Sequence, residues 1–251
     1  MYFKKDNLTI YYEKYGSKKE SILILPGWGN TGPTFNNIIE VFKEKYTIYI
    51  PDYPGFGNSP IPKQELTIYN YAELINSFIK EIIVNTPIII AHSFGGRITA
   101  ILLGKYKLKI KKIILFDVAG LKQKKSIKQI LKEKLYKLLK KLVKLLPKKE
   151  REKYYRKLLL IFGSTDYLNL PASMHKTFQN IIKEDLKDYY RSINAEVLII
   201  WGDKDTDTPL KNAYKLHKII NNSGLIIYKN SGHFSYLDYP EKTNIILNKF
   251  I

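Results

Sequence analysis

Cysteine is absent from the 251 residues of the chain, so neither a disulfide framework nor a metal site built on thiolates can form. Histidine is scarce as well, since the sequence holds four: His92, His175, His217 and His233. No two of them have the spacing of a metal-binding motif such as H-E-x-x-H. The sequence therefore indicates no metal site.

Long hydrophobic runs are also lacking. No stretch of 18 uncharged apolar residues occurs, and the opening Met-Tyr-Phe-Lys-Lys contains no apolar run typical of a signal peptide. We therefore expect a cytoplasmic protein without a membrane-spanning helix. With 45% hydrophobic residues the chain can bury a full core, and its length fits one large domain or a domain with an insertion.

Acidic residues are few: 23 stand against 42 lysines and arginines, which gives a net charge of +19. The excess is concentrated, because residues 121–160 hold 14 lysines and two arginines against three glutamates and so carry +13 of it. A basic balance can indicate nucleic acid or an anionic surface as a partner. Here the charge belongs to one segment and not to the whole chain.

Short apolar runs alternate with longer amphipathic segments, which is typical of a mostly parallel, twisted α/β sheet flanked by helices. The predicted strands are Leu8–Tyr15, Ser21–Leu25, Tyr46–Ile50, Ile88–Ala91, Lys112–Phe116, Val197–Trp201 and Leu225–Tyr228. The predicted helices are Thr34–Phe42, Thr67–Val84, Gly95–Gly104, Leu210–Ile220 and Glu241–Phe250. The alternation stops after Gly120 and resumes near Ala195. We therefore predict a core formed by residues 1–120 and 195–251, with residues 121–194 inserted as a lysine-rich helical unit.

A serine lies where one buried strand passes directly into a helix, in the run Ala91-His92-Ser93-Phe94-Gly95. A serine on such a tight turn has its hydroxyl exposed above the sheet, and small residues are needed two positions to either side, where Ala91 and Gly95 stand. The pattern is A-x-S-x-G instead of G-x-S-x-G. The same serine could also be an ordinary helix N-cap, which any strand–helix junction can carry.

Two later segments supply the partners that a nucleophilic serine needs. The strand Val197–Trp201 leads into a loop with three carboxylates, Asp203, Asp205 and Asp207, and His233 follows the last predicted strand. A histidine can take the proton of a serine, and a carboxylate then fixes the tautomer of the histidine. The three groups occur in the order serine, acid, histidine at the C-terminal ends of strands, which favours nucleophilic catalysis.

In these features the chain resembles the α/β-hydrolase superfamily, over roughly residues 8–120 and 195–251. The shared motifs are Leu25-Pro26-Gly27-Trp28-Gly29, Pro51-Asp52-Tyr53-Pro54-Gly55-Phe56-Gly57-Asn58-Ser59, the serine turn, Trp201-Gly202-Asp203-Lys204-Asp205, and Gly232-His233-Phe234 followed by Tyr236, Leu237, Pro240 and Glu241. The resemblance implies an α/β-hydrolase fold in which Ser93 is the nucleophile, His233 the base and Asp205 the acid. It also implies that no cofactor is required.

The resemblance further implies an oxyanion hole formed by the backbone N–H groups of Trp28 and Phe94. Many members have histidine at the position of Pro26, which alters the support of this loop but not its backbone donors. The insertion at residues 121–194 corresponds to the cap of the family. Asp203 and Asp207 are then loop-stabilising or solvated carboxylates.

The expected function is hydrolysis of a carboxylic ester or a related acyl bond in a small-molecule substrate, through an acyl-enzyme on Ser93. Two alternatives stay open. The same triad can serve cleavage of a carbon–carbon bond in a keto compound, and a protein of this fold can also be a non-catalytic ligand-binding or interaction protein.

One motif favours a different chemistry. The run Gly27-Trp28-Gly29-Asn30-Thr31-Gly32 matches G-x-G-x-x-G between a strand and a helix, and Asp52 lies where the ribose-binding acid of a dinucleotide site stands. That interpretation leaves the serine turn, the aspartate loop and His233 unexplained. The hydrolase interpretation accounts for the same glycines as room for an acyl oxygen near the backbone.

The insertion has a pattern of its own, in which lysines interleave with apolar residues at steps of mostly three and four before Pro147. The apolar residues are Ile127, Ile130, Leu131, Leu135, Leu138, Leu139, Leu142, Leu145 and Leu146. One interpretation is a cap helix that packs this stripe over the active site and solvates its lysines. The other is weak association of residues 121–160 with an anionic membrane surface. No nucleic acid partner is expected, because few aromatic residues interleave with the lysines.

Overall fold

Eight strands form one sheet in the order β1-β2-β4-β3-β5-β6-β7-β8. The strands are β1 (Tyr2–Lys5), β2 (Leu8–Tyr15), β3 (Ser21–Leu25), β4 (Thr47–Pro51), β5 (Ile88–His92), β6 (Lys112–Phe116), β7 (Glu196–Gly202) and β8 (Ser223–Tyr228). β2 pairs antiparallel with β1 and β4, and all other neighbours are parallel. The structure is a computed structural model that describes residues 1–83, 85–122, 127–163, 165–168 and 170–251, without the side chains of residues 128, 129, 165 and 166.

Seven strands lie where the sequence predicts them, with bounds that differ by no more than two residues. β1 is not among the predicted strands. Phe3 is the one buried residue of its four, so the segment has no apolar run that marks it as a strand. β1 forms because it pairs in register with β2, with Phe3 opposite Ile10. The prediction of a mostly parallel sheet is confirmed.

Helices cover both faces of the sheet because successive residues of the buried strands point to opposite sides. In β3, Leu23 and Leu25 pack into one apolar layer, and Ile22 and Ile24 into the other. The first layer is covered by α2 (Ile68–Phe78, continued by a π-helical turn at Ile79–Ile83), α3 (Phe94–Gly104) and α9 (Lys211–Ile219). The second layer is covered by α1 (Asn36–Phe42, after a 3₁₀ turn at Gly32–Phe35) and α11 (Pro240–Phe250, after the short helix α10 at Ser235–Asp238). The predicted helices correspond to these five, and Val84, the predicted end of the second, lies outside the described residues.

The insertion is helical in its described parts. Its helices are α4 (Ile127–Val143), α5 (Lys148–Phe162), α6 (Thr165–Leu168), α7 (His175–Ile182, after a 3₁₀ turn at Ala172–Met174) and α8 (Lys187–Arg191). α4 and α5 pack against each other. α8 lies on α3, where Tyr189 contacts Gly104 and the Tyr190 hydroxyl donates to the carbonyl of Ala119. Among the described helices, none is both long and apolar enough to cross a membrane.

Candidate active site

Ser93 lies on the turn between β5 and α3 with φ 46° and ψ −107°, a conformation that a non-glycine residue adopts only when its surroundings impose it. Two features impose it here. The Ser93 N–H donates to the carbonyl of Phe116 at 3.1 Å, and a side chain at Gly95 would collide with the carbonyl oxygen of Leu25. The neighbouring strands therefore hold the serine at the C-terminal edge of the sheet.

The structure brings Ser93, His233 and Asp205 together. His233 Nε2 lies 2.9 Å from Ser93 Oγ, and His233 Nδ1 lies 2.9 Å from Asp205 Oδ2. The Asp205 side chain is fully buried, whereas the imidazole keeps a small exposed edge. The three side chains come from the segments that follow β5, β7 and β8, which the parallel pairing places at the same edge of the sheet.

The loop after β7 is built around the Asp205 carboxylate. Oδ1 accepts the N–H groups of Asp207 and Thr208 at 2.8 and 2.9 Å, and the Thr208 hydroxyl lies 2.6 Å from Oδ2. Burial raises the pKa of Asp205, but the hydrogen bond and charge of His233 together with Thr208 outweigh it, and the net pKa is lowered. Asp205 is therefore ionised and oriented toward the imidazole. Asp203 instead accepts the N–H of Asn230 at 2.7 Å.

The basicity of His233 reflects two opposed effects. Burial lowers its pKa, whereas the hydrogen bond and the negative charge of Asp205 raise it, with smaller contributions from Asp117 and Asp207, and the net pKa is raised. With Nδ1–H donated to Asp205, Nε2 is the lone-pair nitrogen that faces Ser93. The arrangement suits a base that accepts the proton of the hydroxyl.

The two predicted oxyanion residues lie on adjoining loops. Trp28 is in a tight turn closed by the Asn30 N–H on the carbonyl of Gly27, with Gly29 at φ 77°, as a type II turn requires. This turn does not use the Trp28 N–H. Phe94 begins α3, so its N–H has no acceptor within the helix. The two rings touch, with centroids 5.0 Å apart, so the two residues are neighbours in space.

Asp117, at the end of β6, is a carboxylate that the sequence reasoning missed. It is fully buried; its Oδ1 accepts the Gly202 N–H at 2.8 Å, and its Oδ2 accepts the N–H and the hydroxyl of Ser235, the N–H at 3.1 Å. The carboxylate thereby joins the strand end before the Asp205 loop to the segment after His233. It is the first polar residue after a buried strand, a signal that could have identified it.

His92 is the second residue that sequence reasoning left aside. It is fully buried, burial lowers its pKa to about 3, and the ring is therefore neutral. Its Nε2 lies 2.8 Å from the carbonyl oxygen of His233, which makes Nε2 the protonated nitrogen. His92 thus fixes the backbone of the histidine that Ser93 contacts.

Aromatic rings line one side of this region. The Trp28 ring contacts Phe56, Phe94 and Phe178, with centroids 4.7, 5.0 and 5.5 Å apart. Phe178 belongs to α7 of the insertion, so the insertion touches the loop that carries a predicted oxyanion donor. Phe94 is buried, and the partly exposed rings of Trp28, Phe56 and Phe178 form an apolar wall.

No described group is arranged as a free metal or dinucleotide site. Asp205, Asp207 and His233 offer ligand atoms within 4.8 Å of one another, but His233 and Asp205 already share a hydrogen bond through those atoms. Asp52, the candidate ribose ligand, is buried, and its Oδ2 accepts the Asn58 N–H at 2.9 Å. It therefore stabilises its own loop.

Comparison with known proteins agrees with this architecture. A profile of the alpha/beta hydrolase fold family matches residues 20–139 and 123–240. The chain is 25% identical to the uncharacterized hydrolase YugF of Bacillus subtilis over 276 aligned positions, which cover 99% of this chain and 96% of that protein. It is 25% identical over 265 positions to a pimeloyl-[acyl-carrier protein] methyl ester esterase of Wigglesworthia glossinidia brevipalpis, with 96% and 97% covered.

Among solved structures, the fold is similar to that of Est816, described as an N-acyl homoserine lactone degrading enzyme. The TM-score is 0.79 at 19% identity, and all of both chains is covered. The family profile spans most of the chain, and the mostly parallel sheet flanked by helices is the fold that the sequence led us to expect. The chain belongs to the α/β-hydrolase fold family, and it is a hydrolase of that fold.

Proposed function

We propose that the protein is a serine hydrolase that cleaves a carboxylic ester or a related acyl bond, with Ser93, His233 and Asp205 as its catalytic triad. The observation that carries the proposal is the unbroken chain from Ser93 Oγ through both imidazole nitrogens to Asp205, with 2.9 Å at each step. A strained serine, a base of raised pKa and a buried ionised acid in this order suit nucleophilic attack.

In the first half-reaction, Ser93 Oγ attacks the carbonyl carbon while His233 Nε2 takes the hydroxyl proton. The carbonyl π electrons move to the oxygen, which the N–H groups of Trp28 and Phe94 stabilise; one such donor is typically worth about 10²–10³ in rate. The intermediate collapses, the bond to the leaving oxygen breaks, and imidazolium His233 protonates that oxygen. An alcohol leaves and an acyl-Ser93 ester remains.

In the second half-reaction, water attacks the acyl carbon and His233 takes one of its protons. The bond to Ser93 Oγ then breaks, and His233 returns the proton to the serine. Asp205 stays ionised throughout and stabilises the imidazolium.

We propose further that residues 121–194 act as a cap. Phe178 of α7 lies on Trp28, and Met174 lies where a side chain at Gly55 would stand. The partly exposed Trp28, Phe56 and Phe178 offer an apolar wall for an acyl group, with the buried Met174 behind the loop at Gly55. The ester named for the Wigglesworthia relative agrees with that class of substrate. An apolar acyl chain is therefore the expected substrate part.

A fluorophosphonate probe, combined with a series of short to long p-nitrophenyl esters, tests the proposal. The wild-type protein should be labelled by the probe and should hydrolyse at least one ester. Ser93→Ala should lose both the labelling and the ester hydrolysis. Ser77→Ala, in the interior of α2, is the matched control and should keep both. If wild type were labelled and cleaved a vinylogous keto acid but no ester, the reaction would be carbon–carbon bond cleavage and not ester hydrolysis. An unlabelled wild type would indicate a binding protein.

A further inference from the structure

The apolar residues of α4 do not form one buried stripe over the active site. Part of them faces inward: Val143 is buried, and the Tyr136 ring packs on Phe162 of α5 with centroids 5.5 Å apart. Ile130 is 41% exposed and Leu139 is partly exposed. A further six residues are between 49% and 82% exposed; they are Ile127, Leu131, Leu135, Leu138 and Leu142 of the helix, and Leu145 in the turn after it. The expectation that the whole stripe covers the site is therefore wrong for this outer row.

The outer row is a continuous strip along the helix. Leu131, Leu135, Leu138 and Leu142 follow one another at steps of four and three, which keeps them on one side of a helix with 3.6 residues per turn, and Leu145 follows in the turn after α4. A contiguous apolar strip that is exposed to water indicates a binding surface for another protein, a ligand or a membrane.

Lysines border this strip on one flank. At 100° per residue, Lys134, Lys137 and Lys141 lie beside the exposed leucines, and Lys144 follows in the turn after the helix; all four are exposed. The surrounding residues 121–160 carry +13. Leucines flanked by lysines suit a helix at a lipid surface, since the apolar side chains enter the acyl region while the long lysine stems reach the headgroups.

We propose that the outer face of α4, defined as Leu131, Leu135, Leu138, Leu142 and Leu145 with the flanking lysines, docks on an anionic lipid surface. Charge complementarity selects this partner. A second copy of the chain would bring a segment of +13 against another of +13, with lysine next to lysine beside the leucines, whereas anionic headgroups attract every one of these charges. Docking would bring the rest of the proposed cap close to lipophilic esters.

Vesicle flotation tests the proposal with the full-length protein. Vesicles of phosphatidylcholine with phosphatidylglycerol should bind it at low salt, those of phosphatidylcholine alone should bind it far less, and salt should release it. Since each lysine near an anionic surface contributes about fivefold, changing Lys134, Lys137, Lys141 and Lys144 to Gln should weaken partitioning on the order of 100-fold or more.

The matched control removes four exposed helical lysines elsewhere: Lys187, Lys215, Lys218 and Lys249, each changed to Gln. Its net charge equals that of the α4 variant, so unchanged binding would assign the effect to the outer face. A third variant, Leu131→Ser with Leu138→Ser and Leu142→Ser, should also bind weakly while its circular dichroism stays native, because these leucines are exposed. Ser93→Ala should bind like wild type, which separates docking from catalysis.

Three results would overturn the proposal. One is no association with anionic vesicles at low salt. A second is equal loss of binding in the control and α4 lysine variants, which would indicate net charge alone. The third is a wild-type dimer in sedimentation equilibrium that does not bind vesicles, together with a monomeric leucine variant. That result would identify a second copy of the chain as the partner of the outer face.

Discussion

At the scale of single residues, the proposed mechanism predicts that His233 sets the acidic limit of activity, because it must be neutral to take the proton of Ser93. Its pKa is lowered by burial and raised more strongly by Asp205, so kcat/KM should fall as the pH drops through a value above the ordinary one. Asp205→Asn should reduce turnover by about 10⁴. It should also move the acidic limb of the pH profile to lower pH, since the raising charge is lost. Asp207→Asn is the control and should keep its turnover. If turnover collapsed in Asp207→Asn and stayed near normal in Asp205→Asn, the assignment of Asp205 as the acid would be wrong.

Asp117 gives a second prediction at this scale. Burial raises its pKa to about 7, against an ordinary value of 3.8, even though Ser235 and Gly202 lower it. The folded chain therefore binds this proton more tightly than the unfolded chain, and stability falls as the pH rises between these values. The slope is about 1.4 kcal/mol per pH unit at most. Asp117→Asn should remove this part of the slope in urea unfolding between pH 5 and 7, whereas an unchanged slope would show that Asp117 is ionised throughout.

At the scale of elements, the junction of β5 and α3 tolerates no side chain at Gly95. An added Cβ would meet the Leu25 carbonyl oxygen, which belongs to a fully buried strand. Gly95→Ala should therefore lower the free energy of unfolding by about 2 kcal/mol or more and shift Ser93 away from His233. Gly224→Ala is the control, since its Cβ would meet Leu198 Cδ1 at 3.6 Å, an ordinary contact. Chemical denaturation of both variants, with probe labelling, measures the difference.

At the scale of the whole molecule, the chain carries a net charge of +19, and its positive side chains repel one another most strongly within residues 121–160. Salt shortens the Debye length from about 30 Å at 0.01 M to about 3 Å at 1 M, so the melting temperature should rise over that range. The variant with four α4 lysines changed to Gln should show a smaller rise than the control variant of equal net charge. An equal rise in both would place the repulsion outside α4.

Local sequence determined the parts of this protein that depend on neighbours along the chain. The buried strands were predicted from their apolar runs. The order of the three proposed triad residues was predicted from the small residues around Ser93 and from the loops that follow Trp201 and Tyr228. β1 was not predictable, because its four residues form a strand only through pairing with β2.

Tertiary structure alone decided what depends on distant segments. Asp117 acquires its role because β6 lies beside β7, which brings Gly202 and Ser235 within hydrogen-bond distance of one carboxylate. The periodicity of α4 predicted one apolar stripe, but most of that stripe is exposed, whereas Val143, outside it, is buried and Tyr136, also outside it, packs on Phe162 of α5. Helical periodicity records which residues share a face, whereas the position of neighbouring helices decides which part of that face meets water.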